Sequence, residues 1–164
     1  MWNKSFTLIE TIVAVFVLTT GILALSSLIS YLISSSSFSN QKLVAAYLAQ
    51  EGIEIVRNIR DSAYISGSTT TWNNLVSSCS GGCENFDYRS LKIPDDENCP
   101  GKNLLNLVGN FYQCSDFSSI QLKRKVITTP IFNPDGVKVE VEVSWQEKGR
   151  FHSLKVQENF YNWR

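Results

Sequence analysis

The chain has 164 residues, of which 43% are hydrophobic and 18% charged, with 15 Lys and Arg against 15 Asp and Glu. This length suits a single domain and excludes a multi-domain enzyme, and with a zero formal net charge nothing points to a nucleic-acid binder, which would need a phosphate-neutralising basic patch. The charge is also unevenly spread, since no side chain from Thr11 to Gln41 is charged, which excludes an ordinary soluble globule.

In chain order, the first predicted element is an apolar helix. Thr11–Ile33 contains only apolar and small uncharged side chains. A helix of about 20 such residues crosses the hydrocarbon core of a bilayer. Lys4 precedes the segment and no acidic residue stands before Glu10. That bias predicts a cytoplasmic N-terminus and an exported remainder, with Trp2 at the headgroup level. A cleaved secretory signal with a cut in Ser34–Ser37 is disfavoured because the apolar run is too long. A plain signal anchor has the right length, but it has no use for Glu10. A carboxylate at the bilayer centre costs about 2.5–3.5 kcal/mol, and less near its edge. Lys4, the nearby cation, does not stand at helical i,i+4 spacing from Glu10. The expected partner therefore belongs to another chain.

The run Lys4-Ser5-Phe6-Thr7-Leu8-Ile9-Glu10-Thr11 resembles the prepilin motif of type IV pilins and pseudopilins. That pattern is a short basic leader, a small residue, a Phe, Thr-Leu-Ile-Glu and an apolar helix. The resemblance implies cleavage of the Ser5–Phe6 bond by a membrane aspartic peptidase and N-methylation of Phe6 by the same enzyme. Ser5 departs from the glycine common there but is still small, so slower cleavage at worst is expected. Cleavage places a cationic amine on Phe6, and methylation keeps the charge. Glu10 of a neighbouring subunit would then pair with it and set the axial register of docking. At about 4 Å and an effective dielectric near 20, the attraction is of order 4 kcal/mol before desolvation.

The helix is expected to continue beyond the membrane. In Asn40–Asp61, Leu48, Ile55 and Ile59 recur near the helical period, with Gly52 and Val56 beside them. Glu54 with Asn58, and Arg57 with Asp61, stand at i,i+4 on the polar side, and the second pair is worth a few tenths of a kcal/mol. No proline precedes Pro94, so one helix from about Phe6 to Ile59–Ser62 is predicted. Gly21 and Ser34–Ser37 are its weak points, suited either to local bending or to unwinding on filament packing. Leu48-Ala49-Gln50-Glu51-Gly52-Ile53-Glu54 adds a weaker resemblance to PilV-like minor pilins.

Ser62–Phe117 reads as irregular and holds all four cysteines, Cys79, Cys83, Cys99 and Cys114. In an exported head these are expected as disulfides. Four cysteines permit three connectivities that sequence does not decide. Local pairing, Cys79–Cys83 and Cys99–Cys114, is favoured, with Gly81-Gly82 allowing a tight turn. The spacing lacks the CxxC pair of a zinc site, and Asp95-Asp96-Glu97 lacks the alternate-position pattern of a calcium loop and reads as a solvated turn. No metal or cofactor is therefore expected. Tyr64, Trp72, Phe86 and Tyr88 fit either an exposed aromatic surface or the core.

Three strands follow. Gln121–Thr129 is rich in β-formers. Val137, Val139, Val141, Val143 and Trp145 alternate strictly with polar residues, and Leu154, Val156 and Phe160 share one face of Phe151–Tyr161. Turns are expected at Asn133-Pro134-Asp135-Gly136 and Lys148-Gly149. The apolar face of this meander needs a cover, and the stripe on Leu48, Ile55 and Ile59 is suited to it. His152 is the sole histidine and reads as an exposed strand residue. Glu140 and Glu142 read as solubilising. The run Lys123-Arg124-Lys125 alternates faces and makes a poor nucleic-acid patch. With no GxSxG, P-loop or dinucleotide motif, no enzyme is expected.

Together these readings predict an α+β, type IV pilin-like fold: one long N-terminal helix, its first half transmembrane, packed on a small C-terminal antiparallel sheet. The expected division is a leader over 1–5, a transmembrane and assembly half over 6–33, a helix continuation over 34–62, an irregular cysteine-bearing region over 63–120 and a β-meander over 121–164. The implied function is that of a structural, minor subunit of a type IV pilus-like filament. The alternatives are a pseudopilin of a type II secretion or DNA-uptake system, or an unprocessed membrane-anchored surface binding module. Implied partners are other pilin subunits, the prepilin peptidase/methyltransferase, an inner-membrane assembly platform and lipid, with no nucleic acid. The implied location is the inner membrane as a single-pass precursor, then the cell surface.

Overall fold

The computed structural model describes residues 7–68, 70–84, 86–95, 97, 99, 104–115, 121–132 and 135–161. Its contacts divide the chain into two compact units, Met1–Gln41 and Lys42–Arg164. A 58-residue helix, α1 (Leu8–Ile65), supplies the first unit and the opening of the second. It runs past the predicted end at Ile59–Ser62 by about one turn, where Ser66 N donates to the Ser62 carbonyl.

In the first unit every described residue from Thr7 to Ile33 is exposed. Thr11, Thr19, Thr20, Ser27 and Ser30 turn their hydroxyls back onto carbonyls three or four residues earlier. These bonds satisfy the polar atoms within the helix itself, which suits apolar surroundings. The stretch is long and apolar enough to cross a membrane.

The second unit is a five-stranded antiparallel sheet with helices on one face. The strands are β1 (Leu104–Val108), β2 (Phe111–Ser115), β3 (Leu122–Phe132), β4 (Asp135–Glu147) and β5 (Arg150–Tyr161), in the order β2-β1-β3-β4-β5. The last three form the expected meander, and β4 pairs with β5 from Gly136↔Tyr161 to Glu147↔Arg150. Lys148 and Gly149 close that hairpin with φ of 48° and 79°. Positive φ at both positions is what a tight two-residue hairpin requires. Of the other predicted turn, Asn133 and Pro134 lie outside the described residues.

The region expected to be irregular is so only in part. It contains α2 (Thr70–Ser78), a 3-10 turn over Cys79–Gly81 and the β1–β2 hairpin. These elements hide in the sequence because they are short. Helix α2 buries only Leu75 and is built from weak helix formers, and each strand of the hairpin has five residues. Disulfides join Cys79 to Cys83 and Cys99 to Cys114. Cys83 exchanges two 2.8 Å backbone hydrogen bonds with Val126, so the first disulfide loop is fastened to β3.

The core lies between α1 and the sheet. Leu48, Ile53, Ile55, Val56 and Ile59 meet Val126, Val139, Val141, Val143 and Trp145. The helix comes close at Gly52, where an added Cβ would stand 2.8 Å from Val141 Cγ1 and 3.1 Å from Arg124 Cδ. Glycine is what permits this approach.

Candidate functional site

The sequence places the site at the start of α1. Ser5 and Phe6, with Lys4 and Trp2, lie outside the described residues. Glu10 is described, and it stands exposed in the first turn. The Thr7 carbonyl accepts from Glu10 N at 3.1 Å and from Thr11 N at 3.3 Å, so Thr7 opens the helix and Glu10 is its third residue. That is the Thr-x-x-Glu spacing of a capping box, a feature the sequence reading missed. A carboxylate in the first turn also faces the positive end of the helix dipole. The chain thus offers Glu10 a local stabilisation as well as a charge for a partner. Around it the helix presents apolar side chains on all sides, from Leu8 at 77% exposure to Ile33 at 66%.

A second constellation sits under α1 in the head. Arg124, read from sequence as part of a basic run, is buried. Its inward position follows from its register on β3, where Leu122, Arg124, Val126 and Thr128 alternate inward. Arg124 Nη1 donates to the Leu48 carbonyl at 3.1 Å and to Glu51 Oε2 at 2.9 Å. Its guanidinium carbon lies 4.6 Å from the centre of the Phe86 ring, a cation–π contact. Nε and Nη2 find no acceptor among the described residues. Burial pushes the Arg124 pKa down, and the Glu51 carboxylate opposes that shift.

Asp87 is the buried carboxylate of the neighbouring loop. It accepts from Arg89 N at 2.9 Å, from the Arg89 guanidinium and from Cys114 N at 3.2 Å. The hydrogen bond to Asp87 holds the Arg89 pKa above its ordinary value. Asp87 also lies close to Cys99 and Cys114, the one set of three clustered metal-ligand types among the described residues. Both sulfurs are spent on the disulfide, so neither is a thiolate donor.

On the outer side of α1 the expected Arg57–Asp61 pair is not formed. Arg57 instead pairs with Glu54 and reaches across to both oxygens of Glu158 on β5 at 2.7 Å. Asp61 pairs with Arg60 at 2.8 Å. A carboxylate on a neighbouring strand that offers both oxygens to one guanidinium nitrogen, Nη2, outcompetes a flexible i,i+4 partner. The hydrogen bond to Glu158 is the main reason the Arg57 pKa is raised.

The remaining candidates are scattered. Phe86 is core, Trp72 packs edge-on to Phe160 at 6.3 Å, and Tyr88 stacks on Phe111 at 4.9 Å, while Tyr64 is 47% exposed. His152 stacks on Trp145 at 5.6 Å. Glu140 and Glu142 share Lys155 on the solvent face. Asp95 corrects the solvated-turn reading, since it is buried with its carboxylate turned onto Glu97 N, whereas Glu97 is exposed; Asp96 lies outside the described residues. Comparison with family models, curated proteins and solved structures gives no match for this chain.

Proposed function

We propose that the chain is a structural, minor subunit of a type IV pilus-like filament, with a type IV pilin-like fold. The observation that carries this reading is Glu10 in the first turn of α1, directly after the Lys4–Thr7 motif and directly before an exposed helical stretch without charge from Thr11 to Ile33. A helix apolar on every side must be covered by lipid or by like helices. In the proposed cycle the chain sits in the inner membrane until the Ser5–Phe6 bond is cut and Phe6 is N-methylated. The apolar helices then bundle, and Glu10 of one subunit pairs with the Phe6 amine of another. Support also comes from the head, an α+β unit of the expected helix-on-sheet plan.

Intact mass spectrometry of the membrane and sheared-surface fractions tests this. The expected species begins at N-methylated Phe6 and occurs in the sheared fraction. A chain beginning at Met1 or Trp2 in the membrane would leave a signal-anchored module, and a start after Ser34 would mean a secreted protein. Glu10→Ala is expected to be inserted and processed normally yet missing from filaments; normal incorporation would remove the role proposed for Glu10.

A further inference from the structure

We infer that the outer edge of β5 is a docking site for an extended segment of another protein chain, one carrying a lysine or arginine on its helix-facing side. This inference stands on the head alone and does not rest on the filament reading.

The two edges of the sheet differ. At β2 the edge is closed: Cys114 N donates to Asp87, Cys114 is bonded to Cys99, and Tyr88 stacks on Phe111. At the other side β5 is a 12-residue strand paired only with β4 among the described strands. A long free edge is a template for strand addition, and proteins commonly blunt such edges. Here the shorter edge is covered by neighbouring groups, while the longer one is guarded only by charged side chains.

Beside that open edge, between α1 and β5, runs a groove of about 450 Å³. Tyr47, Ile53 and Val156 are its apolar lining. A strand added to β5 would send alternate side chains toward this groove, so backbone bonds would supply affinity and the groove selectivity. Its charges set the preference. Glu51 is answered by Arg124, while Glu54 and Glu158 share the single guanidinium of Arg57. One carboxylate is in excess, and Glu54 is 63% exposed. A basic side chain is complementary to this balance, and an acidic one is repelled. The same inward-facing charges discourage indiscriminate pairing with an apolar strand.

The test uses the full chain in detergent micelles and a fluorescent peptide that alternates threonine with valine and lysine. Saturable binding is expected, weakened by salt and by about tenfold when glutamate replaces lysine in the peptide. N-methylating one alternate set of the peptide's amides should abolish binding, while methylating the other set should spare it. Hydrogen exchange should slow along Ser153–Tyr161. Glu54→Lys should weaken binding of the lysine peptide by about tenfold, with the melting midpoint only slightly lowered by the lost Arg57 pair. Absence of saturable binding, equal binding of the glutamate peptide, indifference to both methylations, or protection confined to other elements would each overturn the inference.

Discussion

At the residue scale, the strongest consequences sit where α1 meets the sheet. Gly52→Ala would push a methyl against Val141 and the Arg124 stem. Overpacking of this kind costs about 1–3 kcal/mol, and thermal unfolding in detergent should show a lower midpoint. Arg124 and Glu51 form an asymmetric pair, since Arg124 is fully buried and Glu51 is 32% exposed in its side chain. Removing Glu51 strands a buried cation, whereas removing Arg124 leaves a carboxylate that water can reach. Glu51→Ala should therefore cost about 3 kcal/mol, and Arg124→Met distinctly less, as measured by urea denaturation. The solvent face titrates weakly. The hydrogen bond from Lys155 holds the Glu140 pKa below its ordinary value. Its stabilisation is full above the ordinary carboxylate range and is lost as pH falls through the depressed value. The Lys155 pKa is raised, first by the Glu140 hydrogen bond. That contribution is full below the ordinary lysine value and fades as pH rises through the raised one. A Lys155→Met variant should thus differ from the parent near neutral pH and converge with it in acid, by a small amount that salt reduces further.

At the element scale, the cysteine-bearing region depends on its cross-links. Helix α2 and the β1–β2 hairpin are too short to hold themselves, so the disulfides carry a large share. The Cys99–Cys114 loop spans 15 residues and the Cys79–Cys83 loop spans 4. Chain-entropy arguments give about 3 kcal/mol for the longer loop and about 2 kcal/mol for the shorter. Replacing Cys99 and Cys114 by alanine should therefore be the more damaging change, seen as a lower denaturation midpoint and faster proteolysis. The Cys79/Cys83 double variant keeps the backbone exchange with Val126 and should be milder. The meander was legible because Val137 to Trp145 alternate without a break. The β1–β2 hairpin was not, because Leu104-Leu105 and Leu107-Val108 break the alternation and the strands are brief. Its turn residue Gly109, at φ 65°, was the one available signal.

At the scale of the whole molecule, buried residues of α1 begin only at Ala45. A fragment starting at Lys42 should therefore fold with both disulfides intact, as circular dichroism and thiol titration would show; failure would mean that residues before Lys42 are needed for the core. By itself the sequence determined that this chain opens with an apolar helix, that α1 continues with one buried stripe, and that a β-meander follows. Each of these is written as a periodicity or as an absence of charge, and hydrophobic burial obeys such patterns wherever they are long. Of the candidate site, Glu10 was legible as a carboxylate at the edge of an apolar run, while its place as third residue of the helix emerged from the backbone. Only the tertiary structure decided where the charges go. Arg124 turned inward because the strand's register required it, Arg57 chose Glu158 on β5 over Asp61 on its own helix, and Asp87 became the hub of a buried loop. Among the described strands, which sheet edge is closed and which is open was settled there as well. Such pairings depend on elements distant in sequence being brought within a few ångströms, and no local pattern of residues records that distance.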